Sequence, residues 1–105
     1  MKIYQKEKYL IVELEGEFDQ YMADRVRGQI DCGLLQEGVQ NIVFDFSKVT
    51  FMDSSGIGMM LKRYKQIKKL GGMLYVVGCN KTLLRLIKIS GLEKLIVLQE
   101  KMEIE

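Results

Sequence analysis

Apolar and polar residues alternate from Tyr9 to Glu15, with Leu10, Val12 and Leu14 on one side and Glu13 and Glu15 among the others. A period of two predicts a strand with one wet face. Ile3 to Gln5 predicts a short edge strand before it, joined through Lys6-Glu7-Lys8, a turn that lacks Gly or Asn. Gly16 to Asp19 breaks the alternation, and the Asp19 carboxylate is placed to cap a helix. Met22, Val26, Ile30 and Leu34 then recur every four residues, which describes one face of a helix, with Gly38 as its terminator. Gly28 and Gly33 weaken that helix by about 1 kcal/mol each relative to Ala. They signal either close packing on a sheet or simple tolerance.

Asn41 to Phe46 is apolar on both faces except Asp45, the pattern of a central parallel strand. Ile57 to Leu70 predicts a second helix striped by Ile57, Met60, Leu61, Tyr64 and Ile67. Lys62, Arg63, Lys65, Lys68 and Lys69 lie mostly off the stripe, and Gly71-Gly72 ends the helix. Met73 to Val77 is the next strand. Asn80 or Thr82 opens a third helix with Leu83, Leu86 and Ile87 facing inward. Ser90-Gly91-Leu92 is a helix stop in which Gly91 supplies the left-handed residue. Leu95 to Leu98 is a last short strand, and the tail from Gln99 is polar. The order β-β-α-β-α-β-α-β predicts one α/β domain over residues 1–105. Its mixed sheet of four to five strands is parallel in the later strands, with crossover helices packed against it.

Composition narrows the function. The chain has 105 residues, 48% of them hydrophobic and 29% charged, which argues for a folded globular domain. A net charge of +2 carries no basic excess that would point to direct nucleic-acid binding. No apolar run approaches the roughly 18 residues of a membrane span. The first residues lack the apolar core of a signal peptide, so a cytoplasmic location is expected, with Cys32 and Cys79 reduced and packed. The chain has no histidine, which removes Ser-His-Asp and Cys-His arrangements. Two cysteines cannot complete a structural zinc site unaided. Neither a metal nor a cofactor is expected.

The remaining candidate chemistry lies in Asp53-Ser54-Ser55-Gly56-Ile57-Gly58, between a strand and a helix. Loops at such junctions are where α/β proteins usually place their function. A serine nucleophile needs a base, and the lysines cluster on a solvated face, so catalysis is not expected. Glycines and free N–H groups at a helix start suit an anion, but the lysine and spacing of a P-loop are missing and Asp53 would repel a phosphate. A modification site fits better, because Ser54 sits on a short turn with small neighbours. In most proteins a Ser-Ser-Gly before a helix is only a cap and a turn.

Phe51-Met52-Asp53-Ser54-Ser55-Gly56-Ile57-Gly58 resembles the signature of the STAS-domain anti-sigma factor antagonists. The likeness continues through Lys62-Arg63-Tyr64-Lys65-Gln66-Ile67-Lys68-Lys69-Leu70-Gly71-Gly72, most like the sporulation branch that opposes anti-sigma-F factors. Gly16-Glu17-Phe18-Asp19 is similar to the family's Gly-Glu-Leu-Asp turn, and Arg85-Leu86 and Ser90-Gly91-Leu92 are similar to later landmarks. The resemblance implies a non-enzymatic switch. Its unphosphorylated form captures an anti-sigma factor that is also a serine kinase of the GHKL type, freeing the sigma factor. The kinase phosphorylates the first serine of the pair, here Ser54, and a PP2C-type phosphatase reverses this. Asp19 matches the docking aspartate. The chain departs from the family in having Gln20-Tyr21 where two histidines are common. It also ends seven residues after Leu98, where relatives commonly carry a longer final helix.

The partner-binding residues expected are therefore Asp19, Asp53, Ser54, Ser55, Gly56, Gly58 and Met59. Met52, Met59 and Met60 are expected in or near the core, with an exposed Met59 forming an adaptable contact as the alternative. The basic face of the second helix is expected to be mainly solvated, with a part near Ser54 that speeds partner association. A monomer is expected. The competing readings are a nucleotide or anion sensor using the same loop, and a scaffold module in a larger stress-signalling assembly.

Overall fold

A computed structural model describes residues 1–101. Strand β1 (Lys2–Lys6) pairs antiparallel with β2 (Tyr9–Phe18), and β3 (Asn41–Met52), β4 (Leu74–Val77) and β5 (Val97–Gln99) add in parallel. Helices α1 (Gln20–Leu34), α2 (Ser54–Lys69) and α3 (Lys81–Ser90) connect the parallel strands, and a short 3-10 turn at Leu92–Lys94 precedes β5. The spatial order β1-β2-β3-β4-β5 is the chain order. Successive right-handed crossovers in one direction place every helix on the same face of the sheet. The buried residues of all three helices accordingly join one cluster with Leu10, Val12, Leu14, Phe44, Phe46 and Val76. A smaller cluster of Ile11, Val43 and Val77, flanked by Tyr4, Tyr9 and Tyr75, lies on the other face.

The expected element order holds, and two strands run further than their patterns suggest. Gly16 does not end β2. It takes a left-handed φ of 80° inside an irregular stretch of the β2–β3 ladder, and the strand continues to Phe18. β3 likewise continues six residues past Phe46 to Met52, because β2 keeps pairing with it after β4 has stopped at Asp45. The register shifts break the period of two, which hides both extensions from a reading by alternation. Their consequence is functional: Phe18 pairs with Met52, so β2 and β3 end side by side.

The second helix begins at Ser54, three residues before the predicted start, and its buried line is Gly56, Met59, Met60, Arg63 and Ile67. Tyr64 is only half-buried, and Arg63, expected off the stripe, is fully buried. Of the two open readings for the α1 glycines, close packing applies to Gly33, where a Cβ would lie 2.6 Å from Leu10 Cδ1, and tolerance to Gly28, which faces open space. Asn80 rather than Thr82 caps α3, accepting from the Leu83 N–H at 2.8 Å. Gly91 ends α3 at φ 83°, as the stop signal requires. The last strand is Val97–Gln99, displaced by the 3-10 turn that takes up Leu92 to Lys94. Among the described residues no helix is long and apolar enough to cross a membrane. The question of a final helix lies outside the described residues.

Candidate functional site

The site follows from two strands that end together and two helices that start together. Asp19 follows β2 and Asp53 follows β3, and the Asp53 N–H donates to the Phe18 carbonyl at 3.4 Å. Each aspartate is the cap of the helix after it. Asp19 Oδ1 accepts from the Met22 N–H at 3.0 Å, and Asp53 Oδ1 from the Ser55 N–H at 2.8 Å. Both carboxylates thereby satisfy donors that the first helical turn leaves free. The Ser55 hydroxyl donates to Gln20 Oε1 at 2.9 Å and ties the starts of α1 and α2 together. The Asp19 turn and the Ser54 loop, 35 residues apart in the chain, form one surface at the carboxyl ends of the strands, where open α/β sheets place their sites.

Ser54 is the first residue of α2. It is exposed, and its hydroxyl has no hydrogen-bond partner among the described residues. Asp19, Asp53 and Ser55 are half-buried, and Gly58 is exposed. Gly56 is buried: a Cβ there would lie 2.5 Å from Met52 Cγ and 2.8 Å from the Phe18 carbonyl oxygen. Its contribution is to let α2 seat against the end of β2, which positions the two serines. For Met59 the core reading holds and the exposed one does not: it is 7% exposed, on the buried line with Gly56, Met60, Arg63 and Ile67.

Every lysine among the described residues is exposed. Burial pushes the Cys79 thiol up to about 11, which disfavours the thiolate.

Three residues near this surface are named in the sequence patterns but carry no individual role there. Tyr21 is 70% exposed in the first turn of α1, with the Arg25 guanidinium carbon 5.6 Å from its ring centre. Phe51, just before the β3 terminus, is 43% exposed. Exposed aromatic residues are enriched among binding anchors. Their signal was an aromatic side chain beside a polar loop, and for Phe51 the strand extension masked it. The third is Arg63, whose Nη1 donates to Asp31 on α1 and to Gln66 Oε1 at 2.9 Å.

Comparison with known proteins bears on the family and the fold. The STAS domain family matches residues 1–103. This chain is a member of that family. An anti-sigma F factor antagonist of Paenibacillus polymyxa is 42% identical over 86 residues, which are 82% of this chain and 74% of the relative. An anti-sigma-B factor antagonist of Staphylococcus aureus is 28% identical over 100 residues, 95% of this chain and 92% of the relative. The structure of the anti-sigma factor antagonist SpoIIAA in its unphosphorylated form has a TM-score of 0.78 at 21% identity, covering 97% of this chain and 89% of that one. The Bacillus cell fate determinant SpoIIAA in the phosphorylated form gives 0.74 at 24% identity, over 95% and 91%. These two likenesses are likenesses of fold.

Proposed function

We propose that this chain is an anti-sigma factor antagonist switched at Ser54. The bare form binds an anti-sigma factor that is a GHKL-type serine kinase, through the surface at Asp19, Asp53, Ser54 and Ser55, and releases the sigma factor. The 42% identity to an anti-sigma F factor antagonist favours sigma-F as that factor. The kinase transfers the γ-phosphoryl group of ATP to the Ser54 oxygen, the hydroxyl proton is lost, and ADP leaves. A PP2C-type phosphatase hydrolyses the ester. The reading places the protein in the cytoplasm with these partners and gives it no catalysis of its own.

The observation that carries this is the position of Ser54, exposed and unbonded at the first residue of a helix whose start is fixed by Asp53, Gly56 and the neighbouring strand. A phosphoryl group there adds about −1.5 to −2 charge. It meets the positive end of α2, which offsets about 0.3–2 kcal/mol of its cost. Nothing in the core must move to admit it. Buried against a partner, the same charge costs several kcal/mol, and each 1.4 kcal/mol is about tenfold in affinity. The modification thus acts on the interface rather than on the globule.

The test is incubation with the anti-sigma factor of the same organism and ATP, read by mass spectrometry. One phosphoryl group on Ser54 is expected, none on Ser54→Ala, and normal modification of Ser55→Ala. A phosphate elsewhere, or none, refutes the assignment.

A further inference from the structure

Charge is distributed unevenly along this chain. From Ser54 to Leu92 there are eight Lys and Arg residues and no Asp or Glu. Seven of the eight are exposed and pair with no carboxylate among the described residues, and the eighth is Arg63, 1% exposed. A small net charge therefore conceals a strongly basic second half of the helical layer.

One concavity combines this charge with the switch. A groove of about 370 Å³ runs between α1 and α2, lined by Gln20 and Arg27 on one wall and Ser55, Gly58 and Lys62 on the other, with Arg63 beneath. Gly58 creates its depth, since a Cβ there would have nothing within 4 Å. Arg63, which lines the groove, keeps a buried Nε with no hydrogen-bond partner among the described residues. Asp24 holds Arg27 at 2.7 Å and Asp31 holds Arg63, but neither aspartate lines the groove. The lining itself presents three cations and no carboxylate, one residue away from Ser54.

We propose that this groove receives an acidic side chain of the anti-sigma factor kinase, held by Lys62, Arg27 and Arg63. The proposal rests on the antagonist reading and adds the chemistry of the partner. A carboxylate is the complement of a narrow slot with an arginine at its base, because a planar anion can take donors from more than one guanidinium and ammonium group. The proposal also gives the switch its electrostatic sign. A phosphoryl group on Ser54 places a second anion beside a groove that accepts one, so the incoming carboxylate meets repulsion where it had attraction.

Capture of the same organism's anti-sigma factor by the full chain is measured by surface plasmon resonance at low and high sodium chloride. Arg27→Glu with Lys62→Glu should weaken capture by about tenfold or more at low salt, mainly through the on-rate, and flatten the salt dependence. Lys81→Glu with Lys88→Glu makes the same change in net charge on α3, away from the groove, and should weaken it by less than about threefold. All four side chains are exposed, and circular dichroism melts verify that the variants fold. In the wild-type complex a carbodiimide should join the Lys62 amine to an Asp or Glu of the kinase, located by mass spectrometry. Firm capture of the wild type together with unaltered capture of the groove variant overturns the proposal and leaves the antagonist reading standing. Equal losses in the two double variants also overturn it, since they report a diffuse field. So does binding of the isolated chain to duplex DNA or phosphatidylglycerol vesicles through Arg27 and Lys62. No capture of the wild type overturns the antagonist reading itself, and the groove assignment with it.

Discussion

Alanine at Gly56 and alanine at Gly58, two residues apart on one helix, should move stability in opposite directions. Each substitution gains about 1 kcal/mol of helix propensity. At Gly58 nothing opposes that gain, because the added Cβ meets no atom within 4 Å. A net stabilisation of about 0.5–1 kcal/mol follows. At Gly56 the Cβ lands 2.5 Å from Met52 Cγ and 2.8 Å from the Phe18 carbonyl oxygen. The methionine side chain can yield. The carbonyl is fixed in β2 and already accepts from the Asp53 N–H. Relieving the clash pushes the start of α2 away from β2, and overpacking of this kind costs about 1–3 kcal/mol. The expected net effect is a loss of about 1 kcal/mol, so the two variants should differ by about 2 kcal/mol. Urea unfolding followed by circular dichroism measures this, provided the m-value is unchanged. Gly56→Ala should also stretch the Ser55–Gln20 hydrogen bond and weaken partner capture. If both variants are stabilised alike, Gly56 does not hold the switch loop in place.

Three further outcomes follow from the structure. A Cβ on Gly72 would lie inside the Gln40 carbonyl group, so Gly72→Ala should cost about 3 kcal/mol or more; a melt within about 1 kcal/mol of wild type would contradict this packing. Glu7 turns the β1–β2 hairpin at φ 54°, a conformation that costs a non-glycine residue about 1–2 kcal/mol. After the extra entropy of glycine is counted, Glu7→Gly should stabilise by up to about 1 kcal/mol, and a loss in urea unfolding would refute the strain. Iodoacetamide should label exposed Cys32 in the native protein and reach Cys79 only after unfolding. Because burial favours the neutral Cys79 thiol, its contribution to stability is complete below the ordinary thiol range and is lost as pH rises through about 11. Cys79→Ser should remove that part of the alkaline decline, and an unchanged pH profile would refute it.

Much of the fold was legible because local signals agreed with one another. Asp19 and Gly91 act as the caps that their types predict, and the stripe of α1 points where its spacing says. The illegible parts have physical causes. Gly16 reads as a break, yet a bulge absorbs it, since the long β2–β3 pairing outweighs one left-handed residue. Arg63 reads as solvent-facing because arginine usually is, and its burial is made tolerable by Asp31 across on α1 and by Gln66 one turn on in its own helix. Arg63 and Met59 share one buried line with Gly56, Met60 and Ile67, turned slightly round the helix from the stripe that Ile57, Leu61 and Tyr64 suggest. The hydroxyl at Ser54 was legible as a candidate. Its freedom from hydrogen bonds and its proximity to Asp19 required the register that pairs Phe18 with Met52.

The central claim is that one phosphoryl group on Ser54 abolishes capture while the globule persists. Titration calorimetry of the unmodified and Ser54-phosphorylated chains against the anti-sigma factor, with urea unfolding of both forms, tests it directly. The account predicts at least about a hundredfold loss of affinity, equivalent to about 2.7 kcal/mol, and stabilities within about 1 kcal/mol of each other. Equal affinities would contradict it, and so would a phosphorylated chain that no longer folds.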